Sequence, residues 1–190
     1  MEKQRGPSDT LKVQRREKMK IAPVLVTARL LLRPIEEKDA PSVYRWTHSP
    51  MVTRYLFYLP NRSLEDTERL VASWVRKRRN YEWILCEGED VFGEIQVIKD
   101  LPGNGFEIGY ESREDRWGKG FMKEALTAVL RFLFEEGGYA YGYALIEKEN
   151  LRSQSLLLGL GFRFVSETKR TIDKIGKEVT LLSFRIEKEE

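Results

Sequence analysis

The residues with the clearest chemistry lie at 116–122, where Trp117-Gly118-Lys119-Gly120 precedes a long run of helical periodicity and Arg116 and Lys119 add positive charge. The first amides of a helix have no intrahelical acceptor and stand at the positive end of its dipole, so phosphate is the ligand such a turn suits. Glycine lets the backbone approach the anion closely. A Gly-x-Gly pair alone fits a plain packing turn as well. A Walker loop requires Ser or Thr after Gly-Lys, and Gly120 stands there. A dinucleotide-binding turn wants a third glycine where Lys123 stands, and an apolar parallel strand before it. With one histidine (His48) and one cysteine (Cys86), neither a zinc site nor a cysteine–histidine nucleophile pair is expected. His48, before a Ser-Pro turn, reads as a helix-end residue.

The elements that must hold this turn follow from periodicity. Leu25 to Arg33 reads as a strand stopped by Pro34, and Glu36 to Trp46 as a short helix. Ser63 followed by Asp66 resembles a capping box, opening a helix with Leu70, Val71, Trp74 and Val75 on one face; Arg76-Lys77-Arg78-Arg79 closes it with charge that suits the dipole. Tyr81–Glu87, Val91–Lys99 and Phe106–Ser112, separated by turn signals, make an antiparallel meander. Apolar residues at 121, 122, 125, 126, 129, 130, 133 and 134 form a helical stripe ended by Gly137-Gly138. Tyr139–Ile146 is a strand. Asn150 caps a helix ending at Gly161, with Phe162 packing back on Leu157, and strands at about 162–170 and 177–187 close the chain.

The 190 residues suit one domain, 23–190, behind a basic extension at 1–22. Residues 1–20 carry a net charge of +4 and the rest −1, so the basic balance belongs to the extension. The extension reads as a solvated tail; contact with RNA or a ribosome surface is the other reading. A single cysteine allows no intrachain disulfide, no apolar run is long enough for a membrane helix, and a reducing cytoplasm is the expected setting.

Asn150-Leu151-Arg152-Ser153, followed by Leu160-Gly161-Phe162, resembles the Asn-x-x-Ser…Leu-Gly-Phe signature of the GNAT acetyltransferase superfamily. Phe106-Glu107-Ile108-Gly109-Tyr110, then Trp117-Gly118-Lys119-Gly120-Phe121 and Glu124-Ala125, is similar to the preceding segment of that family. Thr27 to Pro34, Asp39-Ala40 and Met51 to Leu56 resemble its opening strand and first helices, and within the family the likeness is to the RimJ and RimL branch of ribosomal-protein N-terminal acetyltransferases. One departure is Asp115, where the wider superfamily carries Gln or Arg.

The resemblance implies an α/β (α+β) fold: a mixed, mostly antiparallel sheet of about seven strands with about four helices, its central strands splayed where pantetheine lies. It implies acetyl-CoA as donor and no metal. Backbone groups near Tyr110, Ser112 and Arg113 would hold pantetheine; Arg116 and the amides of Trp117, Gly118, Lys119, Gly120, Phe121 and Met122 would hold the pyrophosphate; Asn150 and Ser153 would line the other side. Acetyl transfer needs a neutral amine, and α-amino and lysine groups titrate near ~8 and ~10.4, so a base is required. Glu107, in the strand bordering the splay, is the expected base, with Glu94 and Glu147 as rivals. Ser153 is expected to protonate the leaving thiolate. Tyr55 and Tyr58 fall in the segment that lines the acceptor side in relatives; Trp46, beside them, reads as core. The acceptor is expected to be a protein N-terminal α-amino group, with a small amine or a non-catalytic acyl-CoA-binding role as alternatives. A homodimer is implied by resemblance alone.

Overall fold

The structure, a computed structural model, describes residues 21–77, 80–172 and 176–189. The expectations for residues 1–20 and for Arg78-Arg79 fall outside them. Eight strands form one mixed sheet: β1 (Leu25–Val26), β2 (Leu31–Pro34), β3 (Glu82–Glu87), β4 (Asp90–Leu101), β5 (Gly105–Ser112), β6 (Tyr141–Glu147), β7 (Arg163–Ile172) and β8 (Lys177–Glu187), in the order β1-β2-β3-β4-β5-β6-β8-β7. Five helices cover it: α1 (Ala40–Thr47), α2 (Pro50–Thr53), α3 (Leu64–Lys77), α4 (Phe121–Glu135) and α5 (Leu151–Leu158).

Two apolar layers sandwich the sheet. On one side α4 buries Phe121, Ala125, Leu126, Val129 and Leu133 against Phe92, Ile95, Phe106 and Ile108 of the strands. Each of these side chains larger than alanine contributes roughly 1.5–3 kcal/mol by leaving water. On the other side Val43 and Trp46 of α1 and Val71 of α3 pack on Ile84 and Cys86. The helix ends follow the expected chemistry. Ser63 Oγ accepts from the Asp66 amide at 3.2 Å, and α5 closes with Gly161 at φ +91° while the Phe162 amide donates to Leu157 O at 3.0 Å.

The opening segment differs from expectation. Instead of one strand from Leu25 to Arg33, a hairpin forms, because Thr27 and Leu30 close a turn: the Thr27 amide donates to Leu30 O at 2.9 Å and the Leu30 amide to Thr27 Oγ1 at 3.0 Å. That hairpin supplies the extra strand. The feature that positions the site is in the middle of the sheet. β5 and β6 run parallel but pair only at Gly105–Tyr141, Phe106–Gly142 and Glu107–Tyr143. Beyond Glu107, β5 stays with β4 and β6 with β8, and a gap opens between them.

Candidate active site

At the open end of that gap stands the N-terminus of α4. Gly118 and Gly120 adopt φ +72° and +79°, the left-handed region where a Cβ is disfavoured. No side chain caps the helix, and the amides of Gly118 to Met122 donate to no acceptor among the described residues. A run of unpaired amides at the positive end of a fifteen-residue helix is built for an anion.

Arg29 is a further cation beside this turn, and sequence reasoning missed it. Its guanidinium lies 4.4 Å from the Phe121 ring centroid and donates to Lys119 O at 3.1 Å. Glu124 holds it at 2.7 Å and also accepts from Thr27 Oγ1 at 2.6 Å, tying the β1–β2 hairpin to α4. Arg116, expected to add charge here, also stands by the Phe121 ring, 5.7 Å from its centroid, with its guanidinium paired to Glu87 and Asp90. Arg113 forks between Asp90 (2.7 and 2.8 Å) and Asp115 (2.9 Å). The departure at Asp115 thus resolves into an ion pair, with the carboxylate held below its usual range first by the Arg113 hydrogen bond.

Across the gap, the Asn150 side chain accepts from the Ser153 amide at 3.2 Å, capping α5. Ser153 lies close enough to the buried Tyr110 hydroxyl to bear on its acidity, without closing a hydrogen bond of ordinary geometry; burial raises that phenol to about 12. These groups, with Ser112, Trp117, Met122, Tyr55 and Glu111, line one cavity of about 370 Å3. Arg152 lies over the Trp117 ring at 4.2 Å.

Glu111 was also missed. Its carboxylate accepts from Trp46 Nε1 at 2.9 Å and from Tyr58 Oη at 2.7 Å. Burial pushes Glu111 up to about 7, these two hydrogen bonds opposing it. Burial, then the Glu111 charge, holds the Tyr58 phenol far above its ordinary range, so it stays a donor. The signal was present in the sequence: period-2 alternation that gives Glu107 and Gly109 one face gives Glu111 the same face.

Glu107 does not reach this cavity. It lies where β5 and β6 still pair, bridged to Lys99 at 2.9 Å, and lines a separate depression with Tyr141, Tyr143 and Arg185. Glu147 is buried and paired with Lys177 at 3.4 Å. Glu94 sits opposite Glu111 across β4 and β5. Trp46 is fully buried, as read, though its indole also serves Glu111. His48 ends α1, stacked on Tyr44. Among the described residues no group of three or more His, Cys, Asp or Glu could hold a metal.

A family model described as an acetyltransferase (GNAT) domain matches residues 29–163. An uncharacterized N-acetyltransferase of Bacillus subtilis, YoaA, is 29% identical over 155 residues, covering 74% of this chain and 83% of that protein. Two solved structures share the fold alone. The Salmonella typhimurium acetyl transferase that modifies the N-terminal serine of ribosomal protein L7/L12 matches with TM-score 0.78 at 16% identity, covering 87% of this chain and 99% of that one. Spermidine N-acetyltransferase from Vibrio cholerae, in complex with CoA and spermine, matches with TM-score 0.74 at 17% identity, covering 84% and 96%. The split sheet, the uncapped glycine turn and the matched segment agree: the chain belongs to the GNAT acetyltransferase domain family and is an N-acetyltransferase.

Proposed function

We propose that this enzyme takes acetyl from acetyl-CoA and places it on the α-amino group of a peptide or protein. The observation that carries the acceptor class is the charge balance of the cavity: Arg54 and Arg152 offset Glu111 and Glu149. A polyamine needs a cleft of net negative charge, and this lining has none to spare. An α-amino group, titrating near ~8, also matches a carboxyl poised at about 7 better than a polyamine nitrogen does.

The donor fits the residues present. The free amides from Gly118 to Met122 would take the pyrophosphate, with Arg29 beside them; the gap past Glu107 would take the pantetheine arm, and Asn150 and Ser153 would flank it. Acetyl-CoA supplies an activated acyl group and a good leaving thiolate. Ser153, next to Tyr110, would protonate that thiolate, and Glu111, in place of Glu107, would take the amine proton. Ribosomal-protein N-termini are the first sequences to try.

Thiol release from acetyl-CoA, measured with free and N-acetylated peptides and with spermine, tests this reading. Release is expected with free N-terminal peptides only. Release with spermine and not with peptides would move the acceptor to small amines.

A further inference from the structure

We propose that Glu111, Glu94 and Glu82 form a proton exit leading from the cavity, across three strands, to the cleft beside Asn80 and Trp74. The inference rests on amine acetylation at the cavity. It begins with register. Glu94 is the direct partner of Glu111 on β5, while its own partner on β3 is Ile84, two residues from Glu82. Directly paired residues share a face with Cβ atoms roughly 5 Å apart, and diagonal ones stand roughly 7–8 Å apart, within reach of glutamate side chains. All three therefore point toward α1 and α3.

The two ends open differently. Glu111 lines the cavity, and Glu82 lines a small cleft with Ile35, Trp74 and Asn80. Between them Glu94 is 2% exposed. Glu94 Oε2 and Glu82 Oε1 are buried without a hydrogen-bond partner among the described residues. The groups facing the row are the Trp46 indole and Tyr58 hydroxyl, which serve Glu111, with Gln96 on β4 and Arg33 on β2. Arg33 is committed to Asp39 at 2.8 and 2.7 Å, and Ile84 stands between it and Glu94 in the lateral row. No described cation pairs with the row.

A buried carboxyl with no cation holds its proton. Burial raises Glu94 well above the carboxylate range, and the Glu111 and Glu82 charges add to this. Burial, then the Glu111 charge, pushes Glu82 up to about 7. Three carboxyls in line cannot all ionise, so the row holds shared protons. In the reaction the amine N–H bond breaks as an O–H bond forms on Glu111. That proton passes to Glu94 while the proton Glu94 already carries moves to Glu82, which releases it to water. The row returns to its starting state. For folding alone, an apolar side chain at position 94 would serve better.

The test uses the full chain with Glu111→Gln, Glu94→Gln, Glu94→Asp and Glu82→Gln. Loss of the base is expected to lower kcat about 100-fold or more in Glu111→Gln, with KM for acetyl-CoA unchanged. Glu94→Gln lowers kcat with both KM values intact and moves the acidic limb of the pH–kcat profile downward; Glu94→Asp recovers part of the rate. Glu82→Gln gives a smaller loss that a diffusible base such as imidazole restores. Wild-type kcat and pH profiles in both Glu94→Gln and Glu82→Gln overturn the relay while leaving the acetylation reading intact. Infrared spectroscopy supplies a readout independent of turnover: a carboxylic-acid carbonyl band at pH 7, diminished in Glu94→Gln, is expected. Its absence in the wild type also overturns the relay, even if no amine is acetylated.

Discussion

Two clusters of acidic side chains lie on β4 and its neighbours and obey opposite rules. At one end Asp90, Glu87 and Asp115 are knitted to Arg113 and Arg116, with Arg45 a further 3.6 Å contact to Asp90. Farther along the same three strands, Glu82, Glu94 and Glu111 have no cation among the described residues. Burial raises Asp90, yet the hydrogen bonds from Arg113 and Arg116 hold it below the ordinary range, and the Arg113 hydrogen bond holds Asp115 there too. The unpaired row is driven up. Paired acids fix the turn that leads into α4, whereas unpaired acids store protons. Acidic residues alone therefore say little about catalysis until their partners are known.

Their signs give the pH dependence. A carboxyl with a depressed folded pKa contributes stability above its unfolded value and loses it as pH falls through the folded one; a raised one stabilises below its unfolded value and loses that as pH rises. For Glu82 and Glu111 the loss runs from about 4.5 to about 7. Stability is thus expected to fall across that window and, separately, in strong acid.

The largest break in the comparison is Arg113→Met, which removes the fork between Asp90 and Asp115, leaves both to Arg116 with Arg45 also beside Asp90, and is expected to cost about 2–3 kcal/mol at pH 7 in urea unfolding. Next, Gly120→Ala imposes φ +79° on a residue with a Cβ, costing roughly 1–2 kcal/mol; calorimetry is expected to find acetyl-CoA binding weakened as the amides shift. Glu94→Gln is the contrary case: it removes a charge burden and is expected to melt about 2–4 °C above wild type at pH 8, with no gain at pH 4.5. Asp115→Asn is the smallest, under about 1 kcal/mol because that side chain is 60% exposed. Equal effects from Arg113→Met and Glu94→Gln would dissolve the contrast.

Much of this molecule was legible in the sequence because its signals are local. The α4 stripe, the Ser63 cap and the Gly161 terminus are decided within a few residues. The glutamate row was not legible, for a physical reason: one residue decides it. Counting back from the Pro102–Gly105 turn, an unbroken ladder would oppose Glu94 to Ser112. A bulge between Val97 and Lys99 shifts the register by one, so Glu94 meets Glu111. Similarly, the sequence puts Glu107 in the strand that borders the gap without showing which part of that strand faces it. Where the gap begins depends on β6, more than thirty residues further along the chain.

The three-pair seam between β5 and β6 has a mechanical consequence. Among the described residues it is the only ladder joining the first five strands to the last three, so the sheet is two plates on a short seam, bridged from above by α4. Past Glu107 the inner edge of β5 is a row of rungs with no rail. A ligand arm bearing its own amides can act as that rail, splinting the plates together. By mass action a hundredfold excess over Kd would add about 2.7 kcal/mol to the assembled form, and the amides around Gly105 to Glu107 would then exchange with solvent more slowly than in the free enzyme.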